Sequence, residues 1–88
     1  MKIVKISALW CPACLITNPA FDSVIKDYNE IDVVSYDYDL DDVSNYNVGN
    51  ILPVIIMFKN GIEVGRIIGE KNKKQIKDFI EGVKWKNV

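Results

Sequence analysis

The chain has 88 residues, 49% of them apolar and 26% charged, with a net charge of −1. That length makes one domain, residues 1–88, with a single core. The near-neutral balance excludes a strong electrostatic pull toward nucleic acid or an anionic membrane surface.

In chain order, Lys2-Ile3-Val4-Lys5-Ile6 reads as a strand with β-formers on both faces, as a central parallel strand requires. The stretch Trp10-Cys11-Pro12-Ala13-Cys14 follows and holds both cysteines of the chain. Pro12 suits a first helical position, where its missing N–H is not needed. The apolar spacing of Leu15, Phe21, Val24, Ile25 and Tyr28 predicts a helix from Pro12 to Asn29, kinked by Pro19. Residues 31–38 form a second predicted strand, with Val33, Val34 and Tyr36 favouring β. The aspartates from Asp39 to Asp42 supply capping chemistry for a short helix over 42–48, closed by Gly49-Asn50. Val54-Ile55-Ile56-Met57-Phe58 is a continuous apolar run, a buried strand. Asn60-Gly61 then makes the turn of a hairpin with the alternating segment Ile62–Ile68. Residues 71–85 close the chain as an amphipathic helix with Ile76, Phe79, Ile80 and Val83 on one face; Lys71, Lys73 and Lys74 are its solvated start, and Trp85 is expected to pack on it.

The order is βαβαββα, an α/β fold whose first two strands are parallel through a helical crossover and whose last two are an antiparallel hairpin. The cysteine pair falls at the carboxyl end of the first strand, where open α/β sheets build their sites. Two residues between cysteines let the thiols meet across one helical turn. Such a pair after a strand points to thiol–disulfide chemistry. Zinc is the competing chemistry, but one pair gives half the ligands of a structural zinc and the chain has no His, so no metal is expected. Unpaired N–H groups at a helix start favour an anionic sulfur at Cys11, which makes it the expected nucleophile. Cys14, a turn inside, is the expected resolving thiol.

This arrangement resembles the thioredoxin family over nearly the whole chain. Trp10-Cys11-Pro12-Ala13-Cys14 resembles the family's active-site segment. Pro19 resembles its helix-kinking proline, Ile51-Leu52-Pro53-Val54 its cis-proline loop, Phe58-Lys59-Asn60-Gly61 its hairpin, and Gly69 the glycine of its substrate groove. The resemblance implies a four-stranded mixed sheet in the order 2-1-3-4, and reduction of protein disulfides by dithiol exchange. It implies a substrate surface built from Trp10, Pro12, Leu52, Pro53 and Gly69, with no cofactor beyond the two thiols. Trp10 is expected as a flat apolar wall beside Cys11. A cis bond before Pro53 would turn the Leu52 backbone toward Cys11. A thioredoxin reductase or glutathione is the implied electron donor. A glutaredoxin-like, glutathione-dependent reductase is the second reading, and a non-enzymatic interaction module on the same fold is the third.

The departures are specific. The chain lacks the N-terminal strand and helix of a typical thioredoxin. Pro12-Ala13 replaces Gly-Pro, and the loop before Pro53 is one residue longer. Lys5 stands where the family has a buried Asp, six residues before Cys11. Alternation places Lys5 on the face of Ile3 and Ser7. A buried ammonium there needs a partner, for which Asp37 and Asp39 are the candidates; its functional role would be to tune the cysteines. No apolar run approaches the roughly 18 residues of a membrane span, and the first residues do not read as a signal peptide. A cytoplasmic monomer is therefore expected, in a compartment where a thiol pair is more often catalytic than structural.

Overall fold

A computed structural model describes residues 1–85. Strand β1 is Lys2–Ser7, helix α1 Pro12–Ile25, strand β2 Asp32–Asp37, strand β3 Val54–Lys59, strand β4 Ile62–Ile68 and helix α2 Lys73–Lys84, with a one-turn 3-10 helix at Ser44–Tyr46. The four strands form one sheet in the order β2-β1-β3-β4. β1 runs parallel to β2, with Lys5 opposite Ser35, and antiparallel to β3, with Lys5 opposite Ile55. β3 and β4 are antiparallel around Asn60-Gly61, with Lys59 opposite Ile62. Both turn residues have positive φ, 55° at Asn60 and 79° at Gly61, the conformation a two-residue hairpin with right-twisted strands requires.

Strand alternation divides the core in two. On one face Ile3, Ile55 and Met57 pack with Phe21 and Val24 of α1 and Ile76, Ile80 and Val83 of α2. On the other, Val4, Ile6, Val54 and Ile56 pack with Val43, Leu52 and the two cysteines, and Tyr36, Tyr46, Val48 and Phe58 complete the layer. Both helices therefore lie on one face, while the segment 43–52 covers the other. β1 and β3 are buried on both sides, which is why β3 reads as an unbroken apolar run and β1 as one interrupted by Lys5.

The structure corrects several element boundaries. α1 stops at Ile25, not Asn29: the N–H groups of Asp27 and Tyr28 turn back to the carbonyls of Val24 and Ile25, which returns Tyr28 to the core. The expected helix over 42–48 is only the 3-10 turn, since Asn47 takes a left-handed conformation (φ 52°) and ends it. α2 begins at Lys73 because Asn72 caps it. The Asn72 side chain accepts from Gln75 N–H at 2.8 Å, and the Gln75 side chain accepts from Asn72 N–H at 2.9 Å. Leu15, expected on the buried helical face, is 69% exposed; it lies about 100° around the helix from buried Cys14. Trp85, expected to pack on α2, is exposed. Among the described residues, no helix is long and apolar enough to cross a membrane.

Candidate active site

Cys11 is the N-cap of α1. Its backbone is extended (φ −91°, ψ 110°), and its sulfur accepts a hydrogen bond from Cys14 N–H at 3.2 Å. Pro12 takes the first helical position, as its fixed φ predicts. Residues 8–11 form a tight connection from β1, with Cys11 N–H donating to the Ala8 carbonyl at 3.3 Å. The sequence thus delivers a thiol to the positive end of a helix, with a backbone N–H aimed at its sulfur.

Both cysteines are free thiols, Cys11 4% and Cys14 1% exposed. Burial pushes the Cys14 thiol up to about 11, with its hydrogen bond to Cys11 and the Cys11 charge adding to the rise. The Ala8 backbone and the Lys5 ammonium pull it the other way. At neutral pH Cys14 is protonated.

The loop before β3 meets the thiols. The Leu52–Pro53 peptide is cis, and the Cys11 thiol donates to the Leu52 carbonyl at 3.5 Å. Leu52 and Pro53 are both buried. The Pro53 carbonyl accepts from Gly69 N–H at 2.9 Å, and Gly69 has φ 89°, a conformation that favours glycine. Cys11, Cys14, Leu52, Pro53 and Gly69, distant in sequence, therefore form one contiguous patch. Trp10 borders it, 59% exposed, with its indole N–H donating to Asp39 Oδ2 at 2.6 Å. Pro12 is exposed beside it.

Lys5 is where alternation put it, on the α1 face and only 8% exposed. The expected ion pair is not formed. Asp37 Oδ1 accepts from the N–H groups of Asp39 and Leu40, and the Asp39 carboxylate is taken by Trp10. The Lys5 ammonium instead stands 5.2 Å from the centre of the Phe21 ring.

Sequence reasoning missed the apolar collar of the site. Leu9, Leu15, Ile16 and Ile51 are all exposed, either within five residues of Cys11 or next to Leu52. The available signal was that Cys14 must be buried for its sulfur to meet Cys11, which turns Leu15 and Ile16 outward.

A family model described as Thioredoxin matches residues 1–82. The chain is 38% identical over 73 residues to Thioredoxin H2 of Arabidopsis thaliana, a match spanning 81% of this chain and 54% of that protein. It is 35% identical over 79 residues to a thioredoxin of Mycoplasma genitalium, spanning 88% and 76%. The X-ray structure of Fasciola hepatica thioredoxin superposes with a TM-score of 0.82 at 25% identity, covering 92% of this chain and 78% of that one. With a matching sheet order and a cysteine pair at the carboxyl end of β1, the chain belongs to the thioredoxin family of protein thiol–disulfide oxidoreductases.

Proposed function

We propose that the chain reduces protein disulfides by two-step dithiol exchange, with Cys11 as nucleophile and Cys14 as resolving thiol. The observation that carries this reading is the setting of the Cys11 sulfur. It caps α1, receives the Cys14 N–H, and abuts the Leu52 carbonyl at a surface bordered by Trp10. The Cys11 thiolate attacks one sulfur of the substrate disulfide. An S–S bond forms between Cys11 and the substrate, and the other substrate sulfur leaves as a thiolate that takes up a proton. Cys14 then gives up its proton and attacks the Cys11 sulfur, and the second substrate thiol is released. The substrate gains two electrons and the Cys11–Cys14 pair loses two, closing a disulfide.

The backbone of Leu52, beside the sulfur, offers polar groups that an extended substrate segment can pair with as an added strand. Trp10 and Pro12 provide apolar surface to one side, and Gly69, without a side chain, leaves room on the other. A thioredoxin reductase or glutathione returns the disulfide to the dithiol. In this reading the chain acts as a single domain and a monomer in the reducing cytoplasm, where a thiol pair is more often catalytic than structural, with no metal or organic cofactor.

The test is reduction of insulin by dithiothreitol, followed as turbidity. The reduced protein shortens the lag, and Cys11→Ser returns it to the uncatalysed value. An unchanged lag with the wild type contradicts the reading. Coupling the assay to thioredoxin reductase with NADPH, or to glutathione with its own reductase, identifies the donor.

A further inference from the structure

Lys5 is a buried cation that the exchange chemistry above does not use. It is 8% exposed on the face of β1 covered by α1. Among the described residues it makes no ion pair and no side-chain hydrogen bond; its ammonium stands over the Phe21 ring. Its stem is enclosed while its ammonium keeps some contact with solvent, and no carboxylate neutralises the charge. An unneutralised charge on this face calls for a target.

The geometry supplies one. Phe21, under the Lys5 ammonium, is two helical turns from Cys14 on the same side of α1, and Thr17 lies between them; all three side chains are buried. The ammonium thus lies along the same stripe of α1 as Cys14, which itself packs where β1 ends with Ile6, Ala8 and Leu52, so the charge acts on the thiol at a distance and not by contact. From the elements packed here, the charged or titratable groups are few. β1 contributes Lys5, the start of α1 contributes Cys11 and Cys14, and β2 contributes Asp37, whose Oδ1 is held by backbone N–H groups of the following turn. β3 presents Ile55 and Met57 to this face, neither of which titrates.

We propose that Lys5 is a positioning residue for the resolving half-reaction: its unpaired ammonium holds a positive field under Cys14 and stabilises the thiolate that attacks the mixed disulfide. The inference rests on the assignment of Cys14 as resolving thiol. The direction agrees with the pull that Lys5 exerts on the Cys14 thiol. The consequence for rate is moderate. Each unit by which a thiol pKa rises cuts the thiolate population tenfold, while the more basic thiolate attacks faster with a Brønsted slope of about 0.4–0.5. Loss of the charge therefore slows resolution about three- to fourfold per unit.

The experiment uses Lys5→Met and Lys5→Gln, one apolar and one polar, both neutral. The first readout is the higher of the two thiol titrations in the reduced protein, followed by the ¹³Cβ shifts of labelled cysteine. It is expected to move up in both variants. The second uses 5,5′-dithiobis(2-nitrobenzoate). One thionitrobenzoate leaves when Cys11 attacks and a second when Cys14 resolves, and the second release is expected to slow at neutral pH, by about three- to fourfold for each unit of that rise. If the higher titration stays in place in either folded variant, the charge of Lys5 is not what acts on Cys14 and the proposal fails. If the wild type releases no thionitrobenzoate through Cys11, the dithiol mechanism fails instead, and the titration still judges Lys5.

Discussion

At the scale of single residues, the two thiols are adjacent in space but set in opposite environments. Cys11 sits at a helix end with an N–H on its sulfur, whereas Cys14 is enclosed and pushed up to about 11. An acid raised in the folded state stabilises the fold below the pKa it has when unfolded, about 8.5 for a thiol, and loses that contribution as pH rises through the folded value. Between these limits the unfolded chain gives up a proton that the folded chain keeps. The reduced protein is therefore expected to lose thermal stability from about pH 8.5 upward, and Cys14→Ser to flatten that slope. Melting curves from pH 7 to 10 check this; an equal slope in Cys14→Ser contradicts it. Tyr28, raised to about 12 by burial and its hydrogen bond to Glu81, adds a similar loss only at higher pH. Lys5 shows how far such a site can be read in advance. Its burial follows from counting along an alternating strand. Its lack of an acidic partner does not, because the turn after β2 commits Asp37 to backbone N–H groups and Asp39 to Trp10.

At the scale of elements, patterns that depend on side-chain periodicity were legible and those that depend on chain termination were not. The strands are apolar runs or alternations, and the parallel crossover of β1 and β2 and the β3–β4 hairpin follow from them and from Asn60-Gly61, while the order 2-1-3-4 came with the family resemblance. Helix ends depend on local hydrogen bonds. Asn72 and Gln75, three apart, carried a capping signature that fixes the start of α2. The Asn72→Ala variant is expected to lose about 1 kcal/mol in urea unfolding; no loss would show the cap to be redundant. The packing of α2 on β4 turns on Gly65. A Cβ there would stand 2.9 Å from Val83 Cγ2 and 3.2 Å from Phe79 Cε1, so the side chains of Val83 and Phe79 on α2 would have to give way. Gly65→Ala is accordingly expected to cost about 1–3 kcal/mol in the same assay, and an unchanged midpoint would mean that α2 shifts freely. Gly65 sits in a strand read only for its alternation, and nothing in that pattern announces what crosses it.

At the scale of the whole molecule, a two-sided central pair of strands carries a site assembled from distant segments. β1 and β3 are buried under both layers, while β2 is an edge strand and the segment 43–52 covers its face with one turn of 3-10 helix. Amide exchange is expected to be slowest in β1 and β3 and at least about tenfold faster in β2 and 43–52; uniform protection would contradict this division. The same architecture brings Leu52 to Cys11, since β3 pairs with β1 and the loop entering β3 must pass the point where β1 hands over to α1. That convergence is implicit in the strand order the resemblance implied, so the site's centre could be placed through it, while its apolar collar at Leu9, Leu15 and Ile16 needed the helix rotation. The account stands on Cys11 attacking first and Cys14 resolving. Its most direct test is mass spectrometry under non-reducing conditions of Cys14→Ser and Cys11→Ser after exposure to a disulfide-bonded peptide. The account predicts a stable adduct of one peptide thiol on Cys11 in Cys14→Ser and none in Cys11→Ser; an adduct on Cys14 in Cys11→Ser, with Cys14→Ser unmodified, would contradict it.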